Sequence, residues 1–381
     1  MSQNAQNLKD TRDAVNPEPD VSLYRVLRDD GTADYGARVA DAADPRVLLS
    51  AYREMRRLRA LDARMIVLQR QGRVGFYGAC TGQEAVPLAT AFALEKDDWV
   101  FPALREQSVM LVRGFSLVSF IAQVFGNSGD VLKGRQMPSH HAARSVNQVS
   151  WSSNIGTQIP QAVGAAWAMK LQKKPHVAIG FMGDGATSEA DFHAAMVFAG
   201  RYRVPAVLVC QNNHWSISVP TERQTASRTI AIKGRAYGIP SVRVDGNDFL
   251  ALYTVLKEAI RRARAGEGPA FIEAVTYRIG AHSSSDDPTR YRSDAEVEAW
   301  KKKDPLDRLH RHLTLTGAVD AAYNEGLDRE LSHEIGEAVR QVEAMAPPGR
   351  ESLFEDVYAA APWHLVEQRG GSIIWSDKQS L

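Results

Sequence analysis

Cysteine is nearly absent from this sequence, since only Cys80 and Cys210 occur among its 381 residues. The two lie far apart, without the close spacing of a zinc site or the several pairs of a disulfide framework. We therefore expect neither a disulfide nor a cysteine-bound metal, as is typical of a protein from a reducing cytoplasm. Cys210 ends an apolar run, where a small buried side chain is its expected role.

A surplus of one charge sign is lacking as well. The formal net charge is +1 at pH 7, so no basic field favours nucleic acid or an anionic membrane as a partner. No stretch approaches the about 18 apolar residues of a membrane-spanning helix. The first 20 residues carry Asp10, Asp13 and Glu18 but no apolar core segment, which excludes a secretory signal and argues against a transit peptide.

The apolar fraction, by contrast, is 44%, enough for a substantial core. We predict an extended N-terminal arm over residues 1–45, an α/β domain over 46–300, and a helical C-terminal extension with a tail over 301–381. Three apolar residues are expected to anchor the arm: Tyr24, Val26 and Leu27.

The strongest pattern is a predicted βαβ unit near the middle of the chain. It consists of a strand at 177–182, a polar turn at 183–186, a helix over about 188–201, a strand at 206–210, and a turn at Asn212 and Asn213. Both turns then follow the carboxyl ends of parallel strands, where ligands bind in open α/β sheets. We therefore predict an α/β fold with a doubly wound, mostly parallel sheet.

The first turn has the chemistry of a diphosphate site. Gly183, Gly185 and Ala186 let the backbone and the following helix N-terminus approach an anion. Asp184 would repel that anion unless a magnesium ion lay between them, bound also by the Asn213 side chain and a nearby backbone carbonyl, for which Trp215 is placed. Gly-Asp-Gly alone, or Asn-Asn alone, is a common turn. Because each closes a strand of the same unit, we predict a site.

Two further side chains are expected at the same sheet edge. Arg105 follows a predicted strand at 99–101 and begins a predicted helix over 106–125, a position suited to binding phosphate. His282 lies in a predicted loop after a strand at 271–275. The alternatives are a surface ion pair for the arginine and an incidental histidine. Other helices are predicted at 45–71, 83–94, 159–170 and 249–264, with charged helical sequence from 294 to about 345.

These motifs resemble the alpha subunit of the thiamine diphosphate-dependent 2-oxo acid dehydrogenases, most closely the branched-chain type. Twenty-six residues, 186–211, lie between Gly-Asp-Gly and Asn-Asn, as in the thiamine diphosphate signature. The resemblance extends over about 24–358 and includes the segments 134–138, 157–164, 243–248 and 282–287. The last is similar to the branched-chain loop, whereas the pyruvate type usually has a Met and a single Asp before Pro-Gly.

The resemblance implies thiamine diphosphate and magnesium as cofactors and assigns roles to matching positions. Arg105 and His282 contact the diphosphate, and His282 is also the catalytic residue. Ser153 and Ile155 meet the aminopyrimidine, with Ile155 propping the cofactor in its bent form. A potassium site of some members is matched by Ser152, Thr157 and Gln158. Serines that mitochondrial relatives phosphorylate are matched by Ser283 and Ser293.

The implied reaction is oxidative decarboxylation of a 2-oxo acid, followed by transfer of the acyl group to a lipoyl arm. A beta subunit in an α2β2 heterotetramer supplies the activating glutamate, and a lipoyl acyltransferase is the next partner. Two positions depart from many relatives: Leu104 replaces a Tyr, and Gln211 replaces an Arg of the mitochondrial enzymes.

Three alternatives remain open. A pyruvate or acetoin dehydrogenase alpha subunit would have the same fold and a different pocket. A non-catalytic scaffold would need none of Asp184, Asn213 and His282. A nucleotide-binding dehydrogenase domain is disfavoured, because Ser188 stands where Gly-x-Gly-x-x-Gly has its third glycine.

Overall fold

The computed structural model describes residues 22–36, 39 and 43–370. A sheet of six parallel strands forms its centre, in the order β1-β7-β8-β4-β3-β2, beside a two-stranded antiparallel ribbon, β5-β6. The strands are β1 (Leu23–Tyr24), β2 (Trp99–Phe101), β3 (Ala178–Gly183), β4 (Ala206–Asn212), β5 (Trp215–Ser216), β6 (Val219–Pro220), β7 (Ser241–Asp245) and β8 (Ala270–Val275).

Helices cover both faces of the sheet, so the predicted doubly wound, mostly parallel α/β fold is confirmed. They are α1 (Pro45–Arg70), α2 (Ala85–Ala93), α3 (Gln107–Val112), α4 (Leu117–Phe125), α5 (Gln158–Leu171), α6 (Ala190–Tyr202), α7 (Thr221–Gln224), α8 (Phe249–Arg264), α9 (Asp294–Lys301), α10 (Pro305–Leu315), α11 (Ala321–Glu343) and α12 (Trp363–Arg369). No helix of the described residues is both long and apolar enough to cross a membrane.

The central strands are apolar on both sides because both sides are covered. Ile179 and Phe181 of β3 pack with α1, α2 and α8 in one core. Ala178 and Met182 point to the opposite side and pack with α5 and α6 in a second core. A third cluster joins α1, α4 and α11. The alternation of side chains along the strand therefore divides one sheet between two helical layers.

Two predicted helical stretches are interrupted. The helix expected over 106–125 is α3 and α4, because Gly114 adopts a φ of 97° and Ser116 then caps α4, its side chain accepting from Ser119 N. The charged stretch after 294 consists of α9, α10 and α11, each begun by a capping side chain: Ser293, Asp304 or Asp320. Backbone geometry and helix capping therefore divide stretches for which helical spacing alone predicts one continuous helix.

The described part of the predicted extended arm contains a strand of the central sheet. β1 pairs in parallel with β7 at the sheet edge. The backbone N–H groups of Val26 and Leu27 both donate to Asp248 Oδ2, at 2.6 Å each. Asp248 Oδ1 accepts from Ala251 N at the start of α8. Val26 and Leu27 are buried, as expected of anchoring residues. The predictions for residues 1–21 and 371–381 lie outside the described residues.

Candidate cofactor site

The predicted βαβ unit is present and brings its two polar turns to one edge. β3 and β4 run side by side, with Met182 opposite Cys210 and Gly183 opposite Gln211. Asp184 therefore leaves β3 next to the end of β4, where Asn213 begins the following turn. A short 3-10 turn at Gly185–Ser188 leads from Asp184 into α6.

Asp184 is a buried carboxylate without an ion-pair partner among the described residues. Its Oδ2 accepts hydrogen bonds from Ser216 Oγ at 3.1 Å and from Thr221 Oγ1 at 3.0 Å. Burial raises the pKa of Asp184, and these hydroxyls oppose the rise. An added cation would relieve the cost of burying this charge, and a divalent metal that prefers oxygen ligands fits there.

The other two predicted metal ligands lie in the turn after β4. The Asn213 side chain is oriented by Nδ2, which donates to Gln83 Oε1 at 3.0 Å, and its Oδ1 accepts from Trp215 N at 3.2 Å. The Trp215 carbonyl accepts from Arg278 Nη1 at 3.2 Å. A carbonyl oxygen has two lone pairs, so one remains for a metal. One carboxylate, one amide and one carbonyl suit magnesium better than zinc.

Two buried arginines lie at this edge. Arg105 is 5% exposed and Arg278 1% exposed. Arg105 donates from Nη1 to the Ala79 carbonyl and from Nη2 to the His282 carbonyl, the latter at 2.7 Å. Burial, together with repulsion from the Arg278 charge, lowers the pKa of Arg105 to about 10. Within the described part of the chain neither guanidinium forms an ion pair. Two unpaired buried cations favour a bound anion such as a diphosphate.

His282 is fixed through its backbone while its ring makes no hydrogen bond to the described residues. Its N–H donates to Asp286 Oδ2 at 2.7 Å, and its carbonyl accepts from Arg105. Burial lowers the pKa of His282 to about 4, with repulsion from Arg105 and Arg278 adding to the effect. The imidazole is therefore neutral at pH 7 and its ring nitrogens are available.

The loop before α5 lies at the same edge. Gln158 Nε2 donates to the Phe181 carbonyl of β3 at 2.8 Å, whereas the buried Gln158 Oε1 has no partner. Ser153 Oγ lies 2.7 Å from His140 Nε2. Ile155 is 56% exposed. Ser152 Oγ accepts from Asn154 N at 3.3 Å, and Thr157 N donates to the Asn154 carbonyl.

Several site residues were not predicted from the sequence. Arg278 and Gln83 orient the expected metal ligands, and a buried pair, Glu106 and Gln211, lies beside Arg105. Gln211 Nε2 donates to Glu106 Oε1, and burial raises the pKa of Glu106 to about 7. Of these residues, only Gln211 was noticeable in the sequence, since it replaces an Arg of the mitochondrial enzymes. The roles of the others could not be predicted, because the partners of a buried polar residue are distant along the chain.

Cavity size alone does not locate this site. A groove of about 1350 Å³ lies elsewhere, where β1 and β7 meet α8, and none of the predicted site residues lines it. The convergence of unpaired charges at the carboxyl edge of β3 and β4 is the stronger indication of a ligand site.

Comparisons with known proteins show the family of the chain. Residues 52–351 match the family described as Dehydrogenase E1 component. The chain is 42% identical over 349 residues to the 2-oxoisovalerate dehydrogenase subunit alpha 2, mitochondrial, of Arabidopsis thaliana, covering 91% of this chain and 74% of the relative. It is 41% identical over 354 residues to the mitochondrial alpha subunit of Bos taurus, covering 92% and 77%. The corresponding subunit of Pseudomonas aeruginosa is 40% identical over 359 residues, covering 91% and 86%. The chain therefore belongs to the dehydrogenase E1 component family.

Proposed function

We propose that this chain is the alpha subunit of a branched-chain 2-oxo acid dehydrogenase. With its partner it decarboxylates a 2-oxo acid oxidatively and passes the acyl group to a lipoyl arm. The supporting observation is the unpaired Asp184 carboxylate beside the unpaired Arg105 and Arg278 at one sheet edge. These charges fit a magnesium–diphosphate pair, and relatives of the chain are named 2-oxoisovalerate dehydrogenase subunit alpha.

The family implies thiamine diphosphate, whose thiazolium ring serves as the electron sink for decarboxylation. Magnesium is assigned to Asp184, Asn213 and the Trp215 carbonyl. Arg105 and His282 bind the diphosphate, together with the backbone of the turn at Gly183, Gly185 and Ala186. A neutral His282 ring nitrogen can accept or return a proton near the reacting carbon at pH 7.

The loop before α5 is assigned to the other end of the cofactor. Ser153 would bind the aminopyrimidine, and Ile155 would support the cofactor. A potassium ion bound by Ser152, Thr157 and Gln158 would hold the loop, because Gln158 Oε1 is a buried acceptor that lacks a donor.

The partners of the chain follow from the same assignment. The term subunit alpha in the names of the relatives implies a beta subunit. We propose an α2β2 heterotetramer whose beta subunit supplies the activating glutamate, and a lipoyl acyltransferase as the acceptor. The cytoplasmic location stays a prediction from the sequence.

A branched-chain substrate is favoured over pyruvate by the loop at 282–287 and by the names of the relatives. Ala103, Leu104 and Trp151 line a small cavity next to Arg105, with Glu106 and His141. Leu104 stands where many relatives have Tyr, and this cavity, of about 10 Å³, has no room for an alkyl side chain, so it does not decide the substrate.

Steady-state rates of the co-purified subunits, supplied with lipoyl acceptor, test the proposal. We expect kcat/KM for 3-methyl-2-oxobutanoate to exceed that for pyruvate by at least about tenfold, the usual value of one or two buried methyl groups. A preference for pyruvate would instead favour the pyruvate type. Absence of turnover with every 2-oxo acid would favour the scaffold alternative.

A further inference from the structure

We propose that Glu296 of α9 is a positioning residue for the magnesium ligands, and this inference rests on the proposed function. Glu296 Oε1 accepts a hydrogen bond from Trp215 Nε1 at 2.9 Å. Trp215 is one of the three predicted metal ligands, through its carbonyl oxygen. Glu296 lies 81 residues further along the chain, so the contact joins a helix outside the βαβ unit to the turn that follows β4.

The polar groups of Trp215 all have partners in the described part of the chain. Its backbone N–H donates to Asn213 Oδ1 at 3.2 Å, its carbonyl accepts from Arg278 Nη1 at 3.2 Å, and its indole N–H donates to Glu296. Asn213 Oδ1 and the Trp215 carbonyl are two of the oxygens assigned to magnesium. The indole contact uses neither oxygen, so it can fix the position of Trp215 and leave both available as ligands.

The turn that carries these ligands is strained, so it depends on such support. His214 has a φ of 68° and Ile217 a φ of 55°. A residue with a Cβ atom rarely adopts this left-handed conformation, which persists where surrounding contacts hold it. His214 lies between Asn213 and Trp215. A relaxation of its backbone would therefore move one assigned ligand relative to the other.

α9 contributes a second contact to the same turn. Trp300 lies four positions after Glu296, so both side chains project from one face of the helix. The Trp300 ring centroid lies 5.1 Å from that of His214, and 5.1 Å from that of Tyr277, with 7° between the Trp300 and Tyr277 ring planes. Tyr277 OH also donates to Glu296 Oε1, at 2.9 Å. This face of α9 therefore contacts both His214 and Trp215 while Tyr277, which follows β8, fixes the helix.

A simpler role for Glu296 would be to stabilise its own helix. Ser293 caps α9, and a Glu three positions after a capping Ser often accepts from the backbone N–H of that Ser. Here, however, Glu296 Oε1 accepts from two rings that belong to other parts of the chain. Glu298 of the same helix is exposed and forms an ion pair with Lys301 at 2.7 Å. Glu298 is therefore a matched control with a local contact.

Magnesium titrations of the assembled enzyme at saturating thiamine diphosphate test this role. Calorimetry measures the affinity for the ion without measuring turnover. Glu296→Ala should weaken magnesium binding by about 10- to 100-fold, the usual effect of removing a residue that orients a metal ligand. Glu296→Gln keeps an oxygen acceptor and should stay within about threefold of the wild type. Glu298→Ala should bind magnesium as the wild type does.

A double-mutant cycle shows whether the effect passes through Trp215. Trp215→Phe removes the indole N–H and keeps the backbone carbonyl, so it should weaken magnesium binding as Glu296→Ala does. If both substitutions remove the same contact, the variant that carries both should lose little more affinity than either single variant. Two independent effects would multiply instead.

Three results would overturn the role of Glu296: unchanged magnesium affinity in Glu296→Ala, an equal loss of affinity in Glu296→Gln, or losses that multiply in the double variant. A lower melting temperature of Glu296→Ala without a weaker magnesium affinity would likewise reduce the contact to a structural one. A wild-type enzyme that bound no magnesium beside thiamine diphosphate would be a different result, because it would refute the proposed function together with this role.

Discussion

At the scale of single residues, three buried charged side chains lie at the carboxyl edge of the sheet: Arg105, Arg278 and Asp184. None of them has an ion-pair partner among the described residues. Arg105 and Arg278 repel each other, and burial lowers the pKa of both. Asp184 is close enough to Arg278 for attraction but not for an ion pair. An anion beside the arginines and a cation beside the aspartate would stabilise all three side chains, so cofactor and metal should bind together.

Asp184→Ala tests this coupling. It should weaken magnesium-dependent binding of thiamine diphosphate by at least about 100-fold, because the diphosphate loses its charge bridge to the protein. Titration calorimetry on the assembled enzyme gives the affinity, with exposed Asp97→Asn as a control. Unchanged cofactor affinity in an assembled Asp184→Ala enzyme would refute the metal assignment.

His282 is expected to act on the acyl group. His282→Ala should reduce acylation of the lipoyl acceptor by about 10²–10⁴-fold, the usual contribution of a general acid–base. Decarboxylation measured with an artificial oxidant should fall far less. If both half-reactions remained intact, His282 would have no catalytic role.

The same histidine gives a pH prediction. Its pKa in the folded chain is about 4, below the ordinary value of 6.5. The folded state therefore disfavours the protonated ring, and the associated stability is present above pH 6.5 and lost as the pH falls from 6.5 towards 4. Between pH 6.5 and pH 4, we expect the free energy of unfolding of His282→Asn to fall less than that of the wild type. Denaturant titrations at each pH measure this difference. Parallel losses in both proteins would contradict the assignment of a lowered pKa.

At the scale of elements, the loop between β8 and α9 is held by its own side chains. Arg292 donates to the backbone carbonyls of Arg278, Ile279 and Gly280. Tyr291 OH donates to Asp286 Oδ2 at 2.6 Å, the same oxygen that accepts from His282 N. A ligand that contacts Arg278 or His282 therefore acts on the whole loop.

Limited proteolysis reports this response. Arg290 has an 84% exposed side chain, and cleavage after it should slow when thiamine diphosphate and magnesium are added, because ligand contacts stabilise the folded conformation of the loop. Cleavage at exposed Lys173 serves as the reference and should not change. Equal cleavage at Arg290 with and without cofactor would show that the loop does not respond to it.

At the scale of the whole molecule, we propose that the chain carries half of a cofactor site. The described residues would supply the diphosphate and metal end, and Ile155, assigned to the other end, is exposed. The purified chain alone should therefore have no 2-oxo acid decarboxylase activity at saturating thiamine diphosphate, and adding the beta subunit should restore it. Turnover by the isolated chain would disprove the shared-site arrangement.

The sequence by itself determined the features that depend on neighbouring residues. Apolar runs of strand length, polar turns and the helical spacing of 249–264 located the βαβ unit, β8 and α8. Because parallel strands bring their carboxyl ends to one edge, the positions of Asp184, Asn213, Arg105 and His282 at that edge followed from local patterns.

Only the tertiary structure decided which charges are buried and what they contact. Arg278 contacts the Trp215 carbonyl, Gln83 contacts Asn213, and Gln211 contacts Glu106, although each pair is separated by dozens of residues or more. The edge position of β1 also depends on a distant residue, Asp248. Such contacts arise from packing between elements, which no local periodicity encodes, and they determine the electrostatics of the site.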